Sequence, residues 1–303
     1  MSLKNIAIVG ASGNIGRGIL PTLLESDLNI TLLTRTSSAA KFPAGASVVP
    51  SDFTLASLKS AFQGQDAVIS CIPITALGDQ AVLIEAAIAA GVKRFIPSEY
   101  GSDSSNPAVI AAVPFFEAKQ KYLEYLKTKQ DMITWTALIT GPFFDWGLAQ
   151  GFIGFNLATK SALLVDGGET KFTTSTVAQI ARSLIAILNH AEQTANKLVF
   201  VESFTTTQVQ VLGALEKVTG EKWNVSHAQA ADIRSEGFKA MAEGDLVGGG
   251  VKVITTIVLG KEALEDHRGV EGGIWNDKLG LVMENVEEEV SKVLEFVARV
   301  GEK

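Results

Sequence analysis

The chain of 303 residues is poor in several residue types, and each shortage narrows what it can be. A single cysteine, Cys71, rules out an internal disulfide and suits a reducing compartment. Only three histidines occur, His190, His227 and His267; they are widely separated and lack ligand spacing, so no metal site is expected and each reads as a surface or loop residue. Basic residues are outnumbered, 26 against 33 acidic ones, and the net charge of −7 gives no general pull toward nucleic acid or anionic membrane. No uninterrupted apolar stretch is long enough to span a bilayer. The start, Met-Ser-Leu-Lys-Asn, runs straight into a strand and leaves no room for a signal peptide. Internal repeats and low-complexity linkers are missing too. A cytosolic protein, monomeric or homodimeric, is the expectation, with no nucleic-acid or membrane partner.

What is present is concentrated near the beginning. The apolar run Ile6-Ala7-Ile8-Val9 leads into Gly10-Ala11-Ser12-Gly13-Asn14-Ile15-Gly16 and a helical pattern through Leu24. Strand, three-glycine turn and helix start form the phosphate-binding corner of a dinucleotide fold. Gly10 allows the tight turn, Gly13 lets backbone N–H groups approach a pyrophosphate, and Gly16 lets the helix pack closely. The anion then rests on the helix N-terminus, where unpaired N–H groups and the helix dipole favour negative charge.

The second strand, Asn29 to Arg35, ends where such folds inspect the adenosine ribose. An acidic residue there would accept from the 2′-hydroxyl of NAD. This chain instead offers Thr34 and Arg35, then Thr36, Ser37, Ser38 and Lys41, cations and hydroxyls suited to a 2′-phosphate. NADP(H) is therefore the expected cofactor. Short strands at Ala46 to Val49, Ala67 to Ile72 and Val92 to Pro97 follow, with a helix over Leu77 to Ala90. Their carboxyl ends place Asp52 and Phe53 by the adenine, Ile72 and Pro73 by the nicotinamide half, and Ser98, Glu99 and Tyr100 on the face where chemistry belongs. Cys71 reads as a small core hydrophobe.

A helix over Phe115 to Lys129 carries Lys119. The short-chain dehydrogenase pair, a Tyr with a Lys four residues later, is broken at this lysine because Phe115 has no hydroxyl. A literal match at Tyr125 and Lys129 falls late in the helix and reads as accidental. A sixth strand, Met132 to Leu138, precedes a run rich in glycine and aromatics. There Phe143, Phe144, Trp146 and Phe152, with Tyr100, are the candidate substrate pocket. Leu163 to Val165 and Lys171 to Thr173 around Asp166-Gly167-Gly168 read as a hairpin. Helices are expected at Thr176 to Leu188, Thr207 to Val218 and Leu281 to Val300, and a strand at Lys197 to Val201 joins the main sheet. Trp223 to Trp275, with Gly248-Gly249-Gly250, reads as a loop-rich lid. Glu287 to Glu289 reads as a solvated face.

The expected architecture is α/β: a Rossmann-type doubly wound parallel sheet over residues 1–150, completed by a strand and helix from 170–205, with a smaller C-terminal α+β substrate sub-domain and lid over 151–303. The glycine turn, Arg35 with Lys41, the block Gly91-Val92-Lys93-Arg94-Phe95-Ile96-Pro97-Ser98-Glu99-Tyr100-Gly101 and Phe116-Glu117-Ala118-Lys119 together resemble the isoflavone reductase-like branch of the NmrA-like, atypical short-chain dehydrogenases. The resemblance implies an NADPH-dependent reductase acting on a small aromatic or phenolic compound. It also implies that Lys119 touches the cofactor and is the catalytic residue, moving a proton at a phenolic oxygen while NADPH delivers hydride to a benzylic carbon. Lys121-Tyr122-Leu123 and Ile139 to Trp146 depart from the plant enzymes and leave the substrate open. The same resemblance admits a second class, an NADP(H)-sensing regulator without turnover.

Overall fold

The computed structural model describes residues 3–43 and 46–301. Its centre is a seven-stranded sheet in the order β10-β6-β5-β4-β1-β2-β3, parallel throughout. The strands are β1 (Asn5–Val9), β2 (Asn29–Arg35), β3 (Ser47–Ser51), β4 (Ala67–Ser70), β5 (Arg94–Ile96), β6 (Thr134–Ile139) and β10 (Lys197–Phe200). Both faces are covered, which is why β1 and β4 read as nearly unbroken apolar runs.

Side chains alternate between two cores. Ile6, Ile8, Ile69, Ile96 and Leu138 face α1 (Asn14–Leu24) and α7 (Val177–Asn189), whose Ile19, Leu23, Ile180 and Leu184 fill that side. Ala7, Val9, Val68, Phe95 and Trp135 face α2 (Leu55–Phe62), α3 (Gln80–Ala89) and α5 (Glu117–Thr128), which contribute Phe62, Leu83 and Leu123. Because the chain runs outward from β1 to β3 and then returns to β4, the crevice between β1 and β4 is the topological switch point, where such sheets bind ligands.

The remaining elements lie outside this sheet and the helices just named. They are α4 (Pro107–Ala112), α6 (Phe144–Ala149), β7 (Phe155–Asn156), β8 (Ser161–Val165), β9 (Phe172–Thr174), β11 (Phe204–Thr206), α8 (Gln208–Thr219), β12 (Asn224–Ala228), α9 (Ala230–Ala242), α10 (Leu246–Leu259), α11 (Asn276–Leu279) and α12 (Val286–Gly301). The expected hairpin is absent. β8 pairs with β12 and β7, whereas β9 pairs with β11, because Asp166, Gly167 and Gly168 all take positive φ and turn the chain out of the first sheet. Asp166 then fastens that corner by accepting hydrogen bonds from the backbone N–H groups of Ala230 and Lys261.

The segment from Trp223 to Trp275 is also not loop-rich: it holds β12, α9 and α10. Gly248 to Gly250 lie inside α10, where Gly249 packs against α9 and Gly248 lies beside the capping carboxylate of Asp245. A Cβ on Gly249 would stand 2.5 Å from the Gly237 carbonyl oxygen, and one on Gly237 would stand 2.9 Å from the Gly249 oxygen. Glu289, expected in solvent, is buried and ion-paired with Lys292 at 2.6 Å. No helix of the described residues is long and apolar enough to cross a membrane.

Candidate active site

The glycine turn works by exclusion of side chains. Gly10 has φ +85°, and a Cβ there would lie 2.5 Å from the Cys71 carbonyl oxygen; one on Gly16 would lie 2.4 Å from the Gly10 oxygen. The turn is closed by the Gly13 N–H donating to the Gly10 carbonyl at 3.0 Å. Gly13 caps α1 with no side-chain hydrogen bond, and the first turn carries no acid. Its open N–H groups, with Gly13, Asn14 and Ile15 lining a cavity, suit a bound phosphate.

That cavity measures about 480 Å3 and is walled mainly by apolar groups. From the glycine turn it passes Cys71, Ile72 and Pro73 at the end of β4 and Ser98 and Tyr100 after β5, and reaches Lys119, Phe143, Trp146 and Phe152. The Ser98 hydroxyl donates to the Ile72 carbonyl at 2.7 Å, tying the two strand ends together. The Cys71 thiol donates to the Tyr100 hydroxyl at 3.8 Å; burial pushes the thiol pKa up to about 12 and the Tyr100 phenol well above its ordinary range. Neither ionises near neutrality, so Cys71 is an inert wall.

Lys119 is the exception among these walls. Its Nζ donates to the Glu99 backbone carbonyl at 3.2 Å and lies 5.3 Å from the centre of the Phe116 ring. Burial lowers its pKa below the ordinary lysine value, and the charges of Glu99 and Glu265 oppose that shift. A buried amine so placed can exchange a proton with a ligand oxygen.

Other expected residues stand elsewhere. Phe144 does not line the cavity: the start of α6 turns its ring into a separate core with Leu148, Phe155 and Val211, edge-on to Phe204 with centroids 4.8 Å apart. Glu99 does not line it either; its carboxylate points inward and accepts from the Ser104 hydroxyl at 2.6 Å, and burial raises its pKa. Gly10, Ser12, Gly16, Thr34, Arg35, Lys41, Asp52 and Phe53 lie outside the cavity, at or beyond the ends of β1, β2 and β3. There Arg35 pairs with Asp79 at 2.6 Å, its guanidinium 5.0 Å above the Phe53 ring; Phe53 itself has φ +64°. Asp52 accepts from the backbone N–H and hydroxyl of Thr54, at 2.9 and 2.8 Å, as a turn residue, and Lys41 stands exposed after β2. Tyr125 and Lys129 both bond Glu85 on α3, away from the cavity.

Several lining residues escaped the sequence reading. Gly141 and Pro142 follow β6, and the rule that ligands collect at strand carboxyl ends points to them. Leu77 and Phe116 carry no local signal, being ordinary apolar residues of helices. Ile74 closes the strand-end run expected by the nicotinamide half, and Val251, Ile254 and Val258 fall in the segment expected to cover the site, with no signal that singles them out. His267 is not a surface residue but is buried behind the site, its Nε2 3.3 Å from the Glu265 carboxylate. No cluster suited to a metal ion occurs among the described residues.

Fold and site together define a Rossmann-type α/β protein with an apolar cavity at the switch point of its sheet. Residues 2–243 match the model of the NmrA-like family, and the chain belongs to that family. It is 34% identical to oxidoreductase aprR of Aspergillus flavus over 300 residues, covering 97% of this chain and 99% of that one. It is 35% identical to oxidoreductase poxI of Penicillium oxalicum, covering 94% and 92%. A solved structure, AtPrR2 with NADP+ and (+)pinoresinol, superposes with a TM-score of 0.81 at 20% identity over 97% of this chain and 99% of that one, a likeness of fold.

Proposed function

We propose that this protein is an NADPH-dependent oxidoreductase that reduces a small aromatic or phenolic compound, with Lys119 as general acid. The observation behind this reading is the position of the Lys119 amine, buried in an apolar cavity that opens at its other end onto the uncapped N-terminus of α1. The relatives aprR and poxI, both named oxidoreductases, and AtPrR2, solved with NADP+, support it.

The glycine turn and the first N–H groups of α1 would hold the pyrophosphate. Arg35, backed by Phe53 and with Lys41 nearby, would hold the 2′-phosphate, exchanging its bond to Asp79 for two to the phosphate. Ile72, Pro73, Ser98 and Tyr100 would flank the nicotinamide half, and Phe143, Trp146 and Phe152 the substrate. When bound, NADPH supplies the hydride. Lys119 holds its proton on Nζ and passes it to the substrate oxygen that gains the electron pair as hydride reaches carbon. The apolar walls exclude water from that transfer.

The test is a titration of the purified protein with NADPH and NADH, followed by an assay of NADPH oxidation across phenolic ethers, enones, ketones and quinones. Preference for NADPH and oxidation with at least one class are expected. Tight binding with no oxidation across the panel would favour a cofactor sensor instead.

A further inference from the structure

The cavity has one wall that does not stop at its mouth. Val247, Val251, Ile254 and Val258 recur on α10 at intervals of four, three and four residues and so share one face of the helix. Exposure rises along that face from 1% at Val258 and a half-buried Ile254 to 38% at Val251 and 72% at Val247. Val258, Ile254 and Val251 line the cavity, and Val247, one turn further, stands outside it. Across the mouth, Trp146 and Ile74 line the cavity while being 37% and 41% exposed.

The stripe spans twelve residues, eleven helical rises or about 16.5 Å. Its geometry is firm, because Asp245 caps α10 through the Gly248 N–H at 2.8 Å and the opposite face is closed against Gly237 on α9. An apolar wall that continues from a reaction cavity into solvent leaves hydrophobic surface uncovered unless the ligand continues with it. Apart from the exposed Asn14 at the glycine turn, the polar side chains that line the cavity are few and buried, at Lys119, Ser98, Ser102 and Tyr100. The ligand these walls match has one polar head and a long apolar remainder.

We infer that the substrate is an elongated amphiphile, with an oxygen-bearing aryl or carbonyl head at Lys119 and an alkyl, prenyl or aryl tail that leaves the cavity along the Val258-to-Val247 face of α10. This rests on the proposed reaction for the head, whereas the tail rests only on the shape of the cavity.

The experiment is calorimetric titration of 4-alkylacetophenones, from methyl to octyl, into the NADPH-saturated protein and its Val247→Ser variant, with NADPH oxidation followed in parallel. Once the chain fills the cavity, each further methylene covered on one side only should tighten Kd about twofold, half of what full burial gives on a logarithmic scale. Val247→Ser should weaken the octyl compound severalfold and leave the methyl compound unchanged. A Kd that levels off once the cavity is full, or equal weakening of short and long members, overturns the inference. So does sedimentation showing a dimer that Val247→Ser dissociates, since the stripe then belongs to a second copy of the chain. A chain-length dependence without any NADPH oxidation would leave the tail standing and count against the reaction; oxidation with a flat Kd would do the reverse.

Discussion

Lys119 sits between two opposed influences. Burial favours its neutral form, while Glu99 and Glu265 favour the charged one. In the reducing direction the charged amine is the active form, so kcat should be steady at lower pH and fall as pH rises through a Lys119 pKa below the ordinary 10.5. Glu265 has both carboxylate oxygens buried without a hydrogen bond, and His267 beside it likewise. Replacing Glu265 by Gln removes a negative charge, makes the ammonium less favourable, and should move the falling limb to lower pH; Glu265→Asp should largely restore it. A limb that stays in place in Glu265→Gln would show that the pair is structural only. Arg94 supplies a contrast, a buried cation with all its work in the fold. It donates to Thr134 and Thr136 at 2.8 and 2.7 Å and to the Ala191 carbonyl, and burial lowers its pKa to about 10. Arg94→Ala leaves those buried neutral acceptors without their donor and should cost about 1–3 kcal/mol in denaturant unfolding. A loss below 1 kcal/mol would contradict this. Arg35 belongs with the ligand: Arg35→Ala should weaken NADPH about 10- to 100-fold, the worth of a charge-assisted pair of bonds, and leave NADH unchanged.

At the level of elements, the glycines of α10 separate packing from mobility. A Cβ on Gly249 meets the Gly237 oxygen and Met241, whereas one on Gly250 finds only the Phe115 ring at 3.7 Å. Gly249→Ala should therefore lower stability by about 1–3 kcal/mol, the range for overpacking. Gly250→Ala should raise it by about 0.5–1 kcal/mol through helix propensity. Thermal unfolding distinguishes them, and a loss in both would mean that the helix needs freedom at Gly250. The same glycines explain why this region reads as a loop from sequence: three in a row argue for one, and the close approach of α9 that requires Gly249 is revealed by no local pattern. The false hairpin has a similar origin. Leu163 to Val165 and Phe172 to Thr174 look alike, but their partners, Ser226 to Ala228 and Phe204 to Thr206, are at least thirty residues away. Gly10 to Gly16, in contrast, were legible because a turn of three glycines is a local device, and the helix from Thr207 was legible from the glycine that ends it, Gly220, which is left-handed in the structure.

For the whole molecule, a doubly wound parallel sheet was readable because an α/β chain repeats one local unit, and the rule that ligands collect at strand carboxyl ends pointed to the cavity; the strand order and its switch point came from the structure. What the sequence could not supply was which aromatic faces in. Phe143 lines the cavity and Phe144 fills the core, a distinction set by where α6 begins. Nor did anything local assign Val251 to Val258 to the far wall. Because the proposed cofactor site joins the glycine turn, β2 and α5, ligand binding should stabilise the entire fold: NADPH at a hundredfold excess over its Kd adds about 2.7 kcal/mol to unfolding. The most direct measurement is single-turnover oxidation of NADPH by the wild-type protein and by Lys119→Met, with NADPH affinity determined for each. The proposed chemistry requires that the variant bind NADPH as the wild type does and lose at least a hundredfold in rate, the scale of one general acid. Equal rates in the two proteins would contradict it.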